Sequence, residues 1–336
     1  MYAIALCGRE ETPRGASAAL SDSERPGESP VVPEPDQSIV ATRRQRRHAG
    51  SRTSRRRTDR RPGFPLTLAA LEGLAVAGAQ VSVHVADLDR GSTVLTGDDF
   101  VTLPVGGLGV IPLLIETAAR FDDGSIDPAR LVKRDDLDPV SVSGIWRHLA
   151  ASELSLTDLA VLAAAQGDAY ATNALLEATG IEAITRRMVD LGMRRSALLD
   201  RVRDERGPDD APHVSLGTTR EYATLMSDLV GGRAVNPAVS AQVSEWLTIG
   251  QDLSLVGAAT NLRAFGHDDD AHGLLFLNRT AYDDTGVRAE AGVIAGPRAG
   301  LAYALTVCFD DVSALHRDRA HHAFRTLGTE LMENVH

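Results

Sequence analysis

Strand-forming segments lie at the two ends of this chain, and the segments between them have helical patterns. Near the start, residues 81–89 alternate between apolar and polar side chains, and a turn leads into a second extended segment, as in a hairpin. Near the end, three apolar and β-branched segments follow one another at residues 273–281, 287–296 and 301–311. The two ends are therefore expected to join in one antiparallel sheet.

Helices account for most of the remaining folded chain. Before the first strand, Leu68, Leu71 and Leu74 fall at helical spacing, and residues 316–335 predict a closing helix. The middle of the chain has further segments of helical pattern, at residues 110–121, 155–166, 170–180, 181–192, 218–230 and 236–248.

The chain divides into an N-terminal tail and one folded region. Residues 1–62 predict a disordered tail, because a stretch rich in proline, serine and acids is followed by an arginine-rich stretch with no apolar face to bury. The folded region, 63–336, is expected to contain a sheet subdomain (about 63–111 and 262–336) and a helical subdomain (about 112–261). A ligand cleft would lie between the two subdomains.

Charge and hydropathy argue against several classes of partner. The arginine-rich tail could contact nucleic acid, but the rest of the chain is acidic, so nucleic-acid binding is expected only through the tail. No apolar run reaches the ~20 residues of a spanning helix, which argues against a membrane role. No secretory signal stands at the given start, so we expect a cytoplasmic protein. Export is the alternative if the true start lies near residues 43–60, because twin arginines then precede an apolar segment.

A proline turn, small residues and an apolar helix follow one another at Thr102–Phe121. Hydrolases often place a nucleophile at a helix start of this shape. Between Pro104 and Pro112, however, no side chain can attack a carbonyl or carry a proton. Lys133 is the chain's only lysine and lies in another segment, so a Ser-x-x-Lys pair exists nowhere in the sequence.

Taken together, these segments resemble the class A β-lactamase and penicillin-recognising serine hydrolase family, from about residue 66 to residue 336. Residues 83–91 resemble its opening strand, residues 148–180 its helix pair around the second motif, and residues 287–309 its last two strands. The resemblance implies an α+β fold: an antiparallel five-stranded sheet with flanking helices plus an all-helical domain. It also implies a serine hydrolase with the motifs S-x-x-K, S-D-N and K-T-G and a glutamate on an intervening loop.

On this resemblance most motif positions carry other residues, although Asp168 keeps the aspartate of the second motif and Arg279 and Thr280 keep a cation and a hydroxyl in the third. The nucleophile falls on Gly107, its lysine on Val110 and the loop glutamate on Arg203. The second and third motifs and a family asparagine fall on Gly167, Asp168, Ala169, Asn173, Arg279, Thr280 and Ala281. Glycine cannot be acylated and valine cannot carry a proton, so the resemblance implies a non-catalytic pseudoenzyme, and we assign no catalytic residue.

Two other functions stay open. The first is an active hydrolase of a β-lactam, peptide or ester with an unidentified nucleophile, for which Ser141, Ser143 and Thr280 are the candidates. The second is a tether, in which the arginine-rich tail attaches an inert acidic domain to nucleic acid or to another acidic surface.

The cleft keeps features that favour an anion. Arg279 places a cation near the helix start at Gly107, and Arg288 matches a position at which relatives often use arginine to bind a substrate carboxylate. The expected partner is a small ligand with a carboxylate or acyl group. Alternatively, the two arginines are surface charges or ion-pair partners of Glu290 and Asp284.

Ordinary structural roles are equally open for several of these residues. Asp168 stands where a helix cap is expected, Asn173 suits interior hydrogen bonding, and the glycines at 106–109 could serve close packing alone. We expect no cofactor and no metal. The histidines of the closing helix lack the spacing of a ligand set, and the polar loop at residues 266–273 is typical of a solvated turn.

Overall fold

The computed structural model describes residues 63–269, 273–283 and 285–336. The predictions for the arginine-rich tail, for part of the 266–273 loop and for Asp284 lie outside these residues. The helices are α1 (Pro65–Val76), α2 (Val110–Asp122), α3 (Leu156–Gln166), α4 (Ala169–Thr179), α5 (Ile181–Asp190), α6 (Thr219–Val230), α7 (Pro237–Thr248) and α8 (Ala314–Val335). The strands are β1 (Gln80–Asp87), β2 (Thr93–Gly97), β3 (Leu103–Pro104), β4 (Leu131–Lys133), β5 (Glu153–Ser155), β6 (Ala197–Leu198), β7 (Ser215–Gly217), β8 (Asp268–Asp269), β9 (Leu274–Tyr282), β10 (Val287–Ala295) and β11 (Gly300–Cys308).

One antiparallel sheet joins the two ends of the chain, as the sequence predicts. Its strands lie in the order β2–β1–β11–β10–β9–β8, and Gln80 of β1 stands opposite Cys308 of β11. The strand β8 adds only a two-residue edge to the five longer strands. The predicted α+β fold, with an antiparallel sheet, flanking helices and a helical middle, is confirmed.

The pairing of β9 with β10 decides which side chains face the helical middle. Arg279 stands opposite Ala291, and Thr280 stands opposite Glu290. Neighbouring residues of a strand point to opposite faces, so Arg279 and Thr280 lie on different faces of the sheet. Arg279 shares its face with Ala281, which packs among the helices of the middle region.

Each face of the sheet has its own apolar core. On one face the helices of the middle region pack side chains such as Leu114 against Ala291 of the sheet. On the other face α1 and α8 pack Leu74 and Phe324 against Phe276. Removal of this apolar surface from water is the main favourable term in folding.

Polar side chains fix where the helices begin. A side-chain oxygen at the residue before the first turn accepts a backbone N–H in α3, α4, α6, α7 and α8, from the caps Ser155, Asp168, Thr218, Asn236 and Ser313. Each cap satisfies one of the N–H groups that a helix start leaves without a partner.

The first helix is anchored by a carboxylate from the last one. The buried Glu330 of α8 accepts the backbone N–H groups of Leu66 and Thr67 at 2.9 and 2.8 Å. Leu71 and Leu74 are buried, which confirms the helix predicted before the first strand. None of the helices within the described ranges has the length and apolarity needed to cross a membrane. The subdomain boundaries at residues 111 and 261 stay predictions.

Candidate functional site

A cavity of about 670 Å³ lies where the start of α2, the end of α3, the 199–214 loop and the end of β9 meet. The predicted site residues that line it are Gly107, Val110, Gly167, Arg203, Arg279, Thr280, Ala281 and Arg288. Asp168, Ala169 and Asn173 are not among the lining residues. A concave site with a few convergent polar groups is the usual form of a ligand-binding cleft.

The segment before α2 forms a single turn of 3₁₀ helix over Gly106–Gly109. It packs closely against β7: a Cβ on Gly109 would lie 2.8 Å from the Cβ of Ser215, and Ser215 Oγ donates to the carbonyl oxygen of Gly106 at 2.6 Å. Close packing therefore explains Gly109, and both Gly107 and Gly109 line the cavity.

The guanidinium of Arg279 lies between Gly107 and Gly167. A Cβ on Gly107 would lie 3.4 Å from Nη2 of Arg279, and a Cβ on Gly167 would lie 3.0 Å from the same nitrogen. The larger side chains of most other residues could not stand at these two positions unless the guanidinium moved.

Arg279 is buried, and within the described residues only two long hydrogen bonds compensate for the loss of water around its guanidinium. Its Nε donates to the carbonyl oxygen of Gly107 at 3.4 Å, and its Nη1 donates to that of Ala164 at 3.2 Å. The residue is 9% exposed, and burial lowers its pKa to about 10, so the guanidinium stays charged at neutral pH. It makes no ion pair with any residue that the structure describes. Asp252, which also lines the cavity, offsets the effect of burial only in part. A buried cation that lacks an ion pair is unfavourable, so the site favours an anionic ligand.

Thr280 and Glu290 form a separate polar cluster on the opposite face of the sheet. Glu290 accepts hydrogen bonds from Tyr303 Oη at 2.6 Å, from Asn278 Nδ2 at 3.1 Å and from the N–H of Val256 at 3.1 Å. Thr280 Oγ1 lies 3.3 Å from Glu290 Oε2. The register of β9 and β10 turns Glu290 away from Arg279, so these two residues do not form the ion pair weighed from the sequence.

The 199–214 loop is held in place by arginine–aspartate pairs. Arg203 Nε donates to Asp200 at 2.8 Å, its Nη2 lies 3.2 Å from Asp210, and Arg206 also donates to Asp200 at 2.8 Å. Burial opposes the charge of Asp200, but the hydrogen bonds from Arg203 and Arg206 hold its pKa below the ordinary value. The residue at the predicted general-base position is therefore a cation engaged in structural ion pairs.

Asn173 also supports this loop. Its Nδ2 donates to the carbonyl oxygen of Val202 at 2.9 Å, and its Oδ1 accepts the N–H of Val202 at 2.9 Å. Val202 lines the cavity, while Asn173 stands behind it. The interior hydrogen-bonding role weighed for Asn173 from the sequence matches this geometry.

Asp168 caps α4 and binds the segment that crosses it. Its Oδ1 accepts the N–H of Ala171 at 3.0 Å, and its Oδ2 accepts the N–H groups of Ile145 and Trp146 at 2.7 and 2.8 Å. All three bonds are to backbone donors, so the carboxylate is committed to holding two segments together.

Hydrogen bonds from Ser141 and Val142 to Asp204, which we call the clasp, join two segments at one rim of the cavity. Asp204 of the 199–214 loop accepts hydrogen bonds from Ser141 N at 2.6 Å, Ser141 Oγ at 2.8 Å and Val142 N at 3.0 Å. These bonds lower the pKa of the Asp204 carboxyl, with the Ser141 backbone contributing most. An ion pair between Arg201 and Asp138 also joins these two segments.

The candidate hydroxyl nucleophiles are engaged with oxygen acceptors. Ser143 Oγ donates to the carbonyl oxygen of Gly167 at 2.7 Å, and Ser141 Oγ donates to Asp204. Thr280 Oγ1 lies 3.2 Å from the carbonyl oxygen of Asp252, to which it donates. None of these three bonds links a hydroxyl to a histidine or lysine that could take its proton.

Several residues around the cavity had no signal in the sequence. Tyr282 Oη donates to Asp252 Oδ2 at 2.6 Å, and both residues line the cavity together with His213. The guanidinium of Arg288 lies 5.0 Å from the centroid of the Tyr282 ring, and its Nη1 donates to the carbonyl oxygen of Val287 at 2.6 Å. The strand alternation of β9 could have placed Tyr282, but the loop that carries Asp252 matches no motif.

One histidine of α8, His316, makes local contacts. His316 Nδ1 lies 2.8 Å from Asp311, and its ring stacks on Phe309 with centroids 4.1 Å apart. Within the described residues, no group of three or more His, Cys, Asp or Glu side chains could hold a metal ion.

Comparisons with known proteins agree with this architecture. The family profile described as "Beta-lactamase enzyme family" matches residues 67–335. A β-lactamase structure from Sphaerobacter thermophilus DSM 20745 superposes with a TM-score of 0.70 at 22% identity, over 81% of this chain and 97% of that one. A β-lactamase structure from Xanthomonas campestris pv. campestris str. ATCC 33913 gives 0.66 at 17% identity, over 81% and 98%.

A third similar structure is a mutant of PBP-A as an acyl-enzyme complex with penicillin G. It has a TM-score of 0.62 at 16% identity and covers 81% of this chain and 99% of its own. Identities this low indicate a shared fold only. No curated protein sequence matches the chain.

Proposed function

The chain belongs to the beta-lactamase enzyme family, and from that premise we propose that it is a non-catalytic member, a pseudoenzyme, whose cleft binds a ligand without becoming acylated. Acyl transfer in this family needs a serine that attacks the carbonyl, a lysine and a glutamate that move protons, and backbone N–H groups that hold the oxyanion. Gly107, Val110 and Arg203 stand at the three side-chain positions. None of them can perform the corresponding step.

The absence of the nucleophile and of both proton carriers carries this proposal, and Arg279 lies beside two of the altered positions. Its guanidinium lies against Gly107 and Gly167, 3.4 and 3.0 Å from where their Cβ atoms would stand. Active members carry the lysine of the K-T-G motif at this position, so a cation here is a feature of the family. The difference lies in the serine, lysine and glutamate that Gly107, Val110 and Arg203 replace. Loss of the members of a nucleophilic unit lowers turnover by a factor on the order of 10⁶.

Ligand binding is the activity that the cleft retains. The cavity of about 670 Å³ has a size that suits a small organic molecule. The charge of Arg279 favours a negative or strongly polar group. We propose a small ligand that contains a carboxylate or acyl group.

An active hydrolase with a different nucleophile is the second candidate. Ser143 and Thr280 line the cavity and carry hydroxyls, which is the observation in its favour. Ser143 Oγ donates to the carbonyl oxygen of Gly167. Thr280 Oγ1 has two acceptors in reach, the carbonyl oxygen of Asp252 at 3.2 Å and Glu290 Oε2 at 3.3 Å, and Glu290 lies on the face of the sheet away from Arg279. A hydroxyl that attacks a carbonyl needs a base to accept its proton, and a backbone carbonyl oxygen is not one.

Covalent labelling separates the two candidates. The pure protein is incubated with penicillin G and with a fluorophosphonate and then examined by intact-mass spectrometry, with an active class A β-lactamase treated in parallel as the positive control. We expect no mass increase on this chain and no saturable hydrolysis of a chromogenic cephalosporin. A stoichiometric adduct that maps to Ser143 or Thr280 would overturn the proposal.

A further inference from the structure

We propose that this protein forms a symmetric homodimer through the outer surface of α1, in which Val76 of each copy enters a groove between α1 and α8 of the other copy. The dimer is independent of the proposed function, because α1 and α8 cover the face of the sheet opposite to Arg279. It adds a partner, which is a second copy of this chain, and the residues that recognise it.

The helix α1 is apolar on its exposed side as well as on its buried side. Its sequence, PLTLAALEGLAV, contains a single charged residue, Glu72. Leu71 and Leu74 face the core, while Leu66 is 62% exposed and Val76 is 90% exposed. A surface helix ordinarily carries polar side chains on its outer face, and a helix that is hydrophobic all round is ordinarily covered. The exposed side of α1 therefore has the composition of an interface.

A groove of about 620 Å³ lies between α1 and the first half of α8. Its α1 wall consists of small or apolar residues and its α8 wall of polar ones, and together they are Ala70, Gly73, Leu74, Val76, Ala77, Asp318, Arg319 and His322. The small residues leave room beside the helix. The groove can therefore receive an apolar side chain from a partner.

Val76 stands at the rim of this groove. It belongs to the groove wall, yet 90% of the residue is exposed, so its side chain projects from the surface. A projecting side chain with a groove beside it on the same surface is self-complementary under a two-fold axis, because each contact is then made twice. A second copy can therefore fill both grooves at once, with one Val76 in each.

The charges that border the groove select the same partner. Glu72 stands one helical turn before Val76 and therefore on the same side of α1. Arg319 and His322 lie on the opposite wall of the groove, and none of these three charged or titratable side chains is in an ion pair within the described residues. When Val76 enters the groove of the second copy, Glu72 comes close to Arg319 of that copy.

A second copy suits these charges better than an anionic membrane or a nucleic acid does. The chain has a net charge of −11 and Glu72 lies on the exposed side of α1, so a negative surface would be repelled. Asp318 also lines the groove, but residues 314–325 carry three arginines and one acid, so the α8 wall stays positive. Repulsion between two acidic copies is screened beyond ~8 Å at physiological salt.

The size of the surface sets the expected affinity. A helix of twelve residues is ~18 Å long, so the area buried on α1 lies at the low end of the range of specific interfaces. We therefore expect a reversible dimer with a dissociation constant on the order of 10 μM.

Analytical ultracentrifugation of the full chain tests the dimer, at concentrations from about tenfold below to about tenfold above that dissociation constant. Val76→Asp should weaken the dimer at least about tenfold, because it places a charge in an apolar groove. Val189→Asp is the matched control: Val189 is a 52% exposed valine of α5, in the helical middle region, and its replacement should leave the dissociation constant unchanged.

A charge exchange tests which residues meet across the interface. Glu72→Arg and Arg319→Glu should each weaken the dimer about threefold, as expected for an ion pair at the edge of an interface. The double variant re-forms the pair with the charges exchanged and should recover most of the affinity. Both positions are exposed, so circular dichroism is expected to show folded protein in every variant.

Hydrogen exchange of the wild-type protein gives a measurement that needs no variant. We expect the amides of residues 65–77 to become more protected as the protein concentration rises. Protection that is the same at all concentrations would assign the surface to a segment of the same chain and overturn the dimer.

Three further results would overturn the dimer: a chain that stays monomeric over the whole range, equal effects of Val76→Asp and Val189→Asp, or a double charge variant that dimerises no better than the single ones. Binding of a monomeric chain to phosphatidylglycerol vesicles, lost in Val76→Asp, would assign the surface to lipid instead. The covalent labelling with penicillin G reports on the cavity alone, so its outcome does not depend on the dimer.

Discussion

Gly167 and Arg279 exclude a side chain between them: a Cβ on Gly167 would lie 3.0 Å from Nη2 of Arg279. Gly167 also ends α3 in the left-handed region, with φ of +62°. Two features therefore disfavour any other residue at position 167: the positive φ of its backbone and the contact that its Cβ would make with Arg279.

Gly167→Ala is expected to destabilise the protein by about 2 kcal/mol, roughly half from the positive φ and the rest from the contact with Arg279. Gly124 is the matched control, because it has φ of +72° and no atom within 4 Å of an added Cβ. Urea unfolding of both variants measures the difference. Equal losses at the two glycines would contradict a steric role for Arg279.

Putting back a nucleophile is expected to be insufficient for activity. Gly107→Ser with Val110→Lys restores two side chains, but Arg203 remains ion-paired with Asp200 and Arg279 remains beside the new serine. We expect hydrolysis of a chromogenic cephalosporin to stay within about tenfold of background, because the members of a nucleophilic unit act together. Adding Arg203→Glu and Arg279→Lys should give detectable acylation by intact mass. Rapid turnover by the double variant alone would show that these two arginines do not block the reaction.

Glu290 is expected to make stability depend on pH near neutrality. Burial raises its pKa from 4.5 to about 7, although hydrogen bonds from Tyr303, Val256 and Asn278 oppose the shift. Between these values the folded state holds a proton that the unfolded state has lost. The group therefore contributes stability below pH 4.5 that disappears as the pH rises through about 7, by up to ~3 kcal/mol.

Glu290→Gln should flatten this part of the pH–stability profile. The measurement is urea unfolding at several values between about pH 5 and pH 8, with the exposed Glu245→Gln as control. The slope against pH, rather than the absolute stability, isolates the titration from any lost packing. An unchanged slope in Glu290→Gln would assign the titration to another group.

The clasp at Asp204 is expected to hold the rim of the cavity closed. Asp204→Asn replaces a charged acceptor of three hydrogen bonds with a neutral amide. We expect the amides of Ser141 and Val142 to exchange hydrogen about tenfold faster, which corresponds to ~1.4 kcal/mol. Asp209→Asn, an exposed change in the same loop, should leave both amides unaffected. If both variants exchange alike, the clasp does not depend on the Asp204 charge.

The sequence predicted the fold well because its signals are local. Apolar spacing located α2 to α8 and the long strands. The sequence also suggested Asp168 as a helix cap, and in the structure its Oδ1 accepts the N–H of Ala171. The joining of the two chain ends in one sheet was inferred because the main strand-forming segments lie near those ends. Each of these inferences needs only residues within one or two turns.

The sequence grouped Gly107, Gly167 and Arg279, which line one cavity, but it did not predict their geometry. The motif positions identified the neighbourhood of Gly107, Gly167 and Arg279, yet the side-chain path of Arg279 depends on contacts 112 or more residues away in sequence. The burial of Glu290 follows from the register of β9 and β10, which no short pattern encodes. The bond of Asp204 to Ser141 likewise joins loops with no sequence periodicity.

The side-chain amide of Asn173 holds the cavity wall through the main-chain N–H and carbonyl oxygen of Val202. These hydrogen bonds do not involve the side chain of residue 203, so the same backbone could carry either the arginine found here or a glutamate. The backbone that shapes the cavity is therefore independent of the side chains at the catalytic positions, so those side chains can change while the cavity keeps its form.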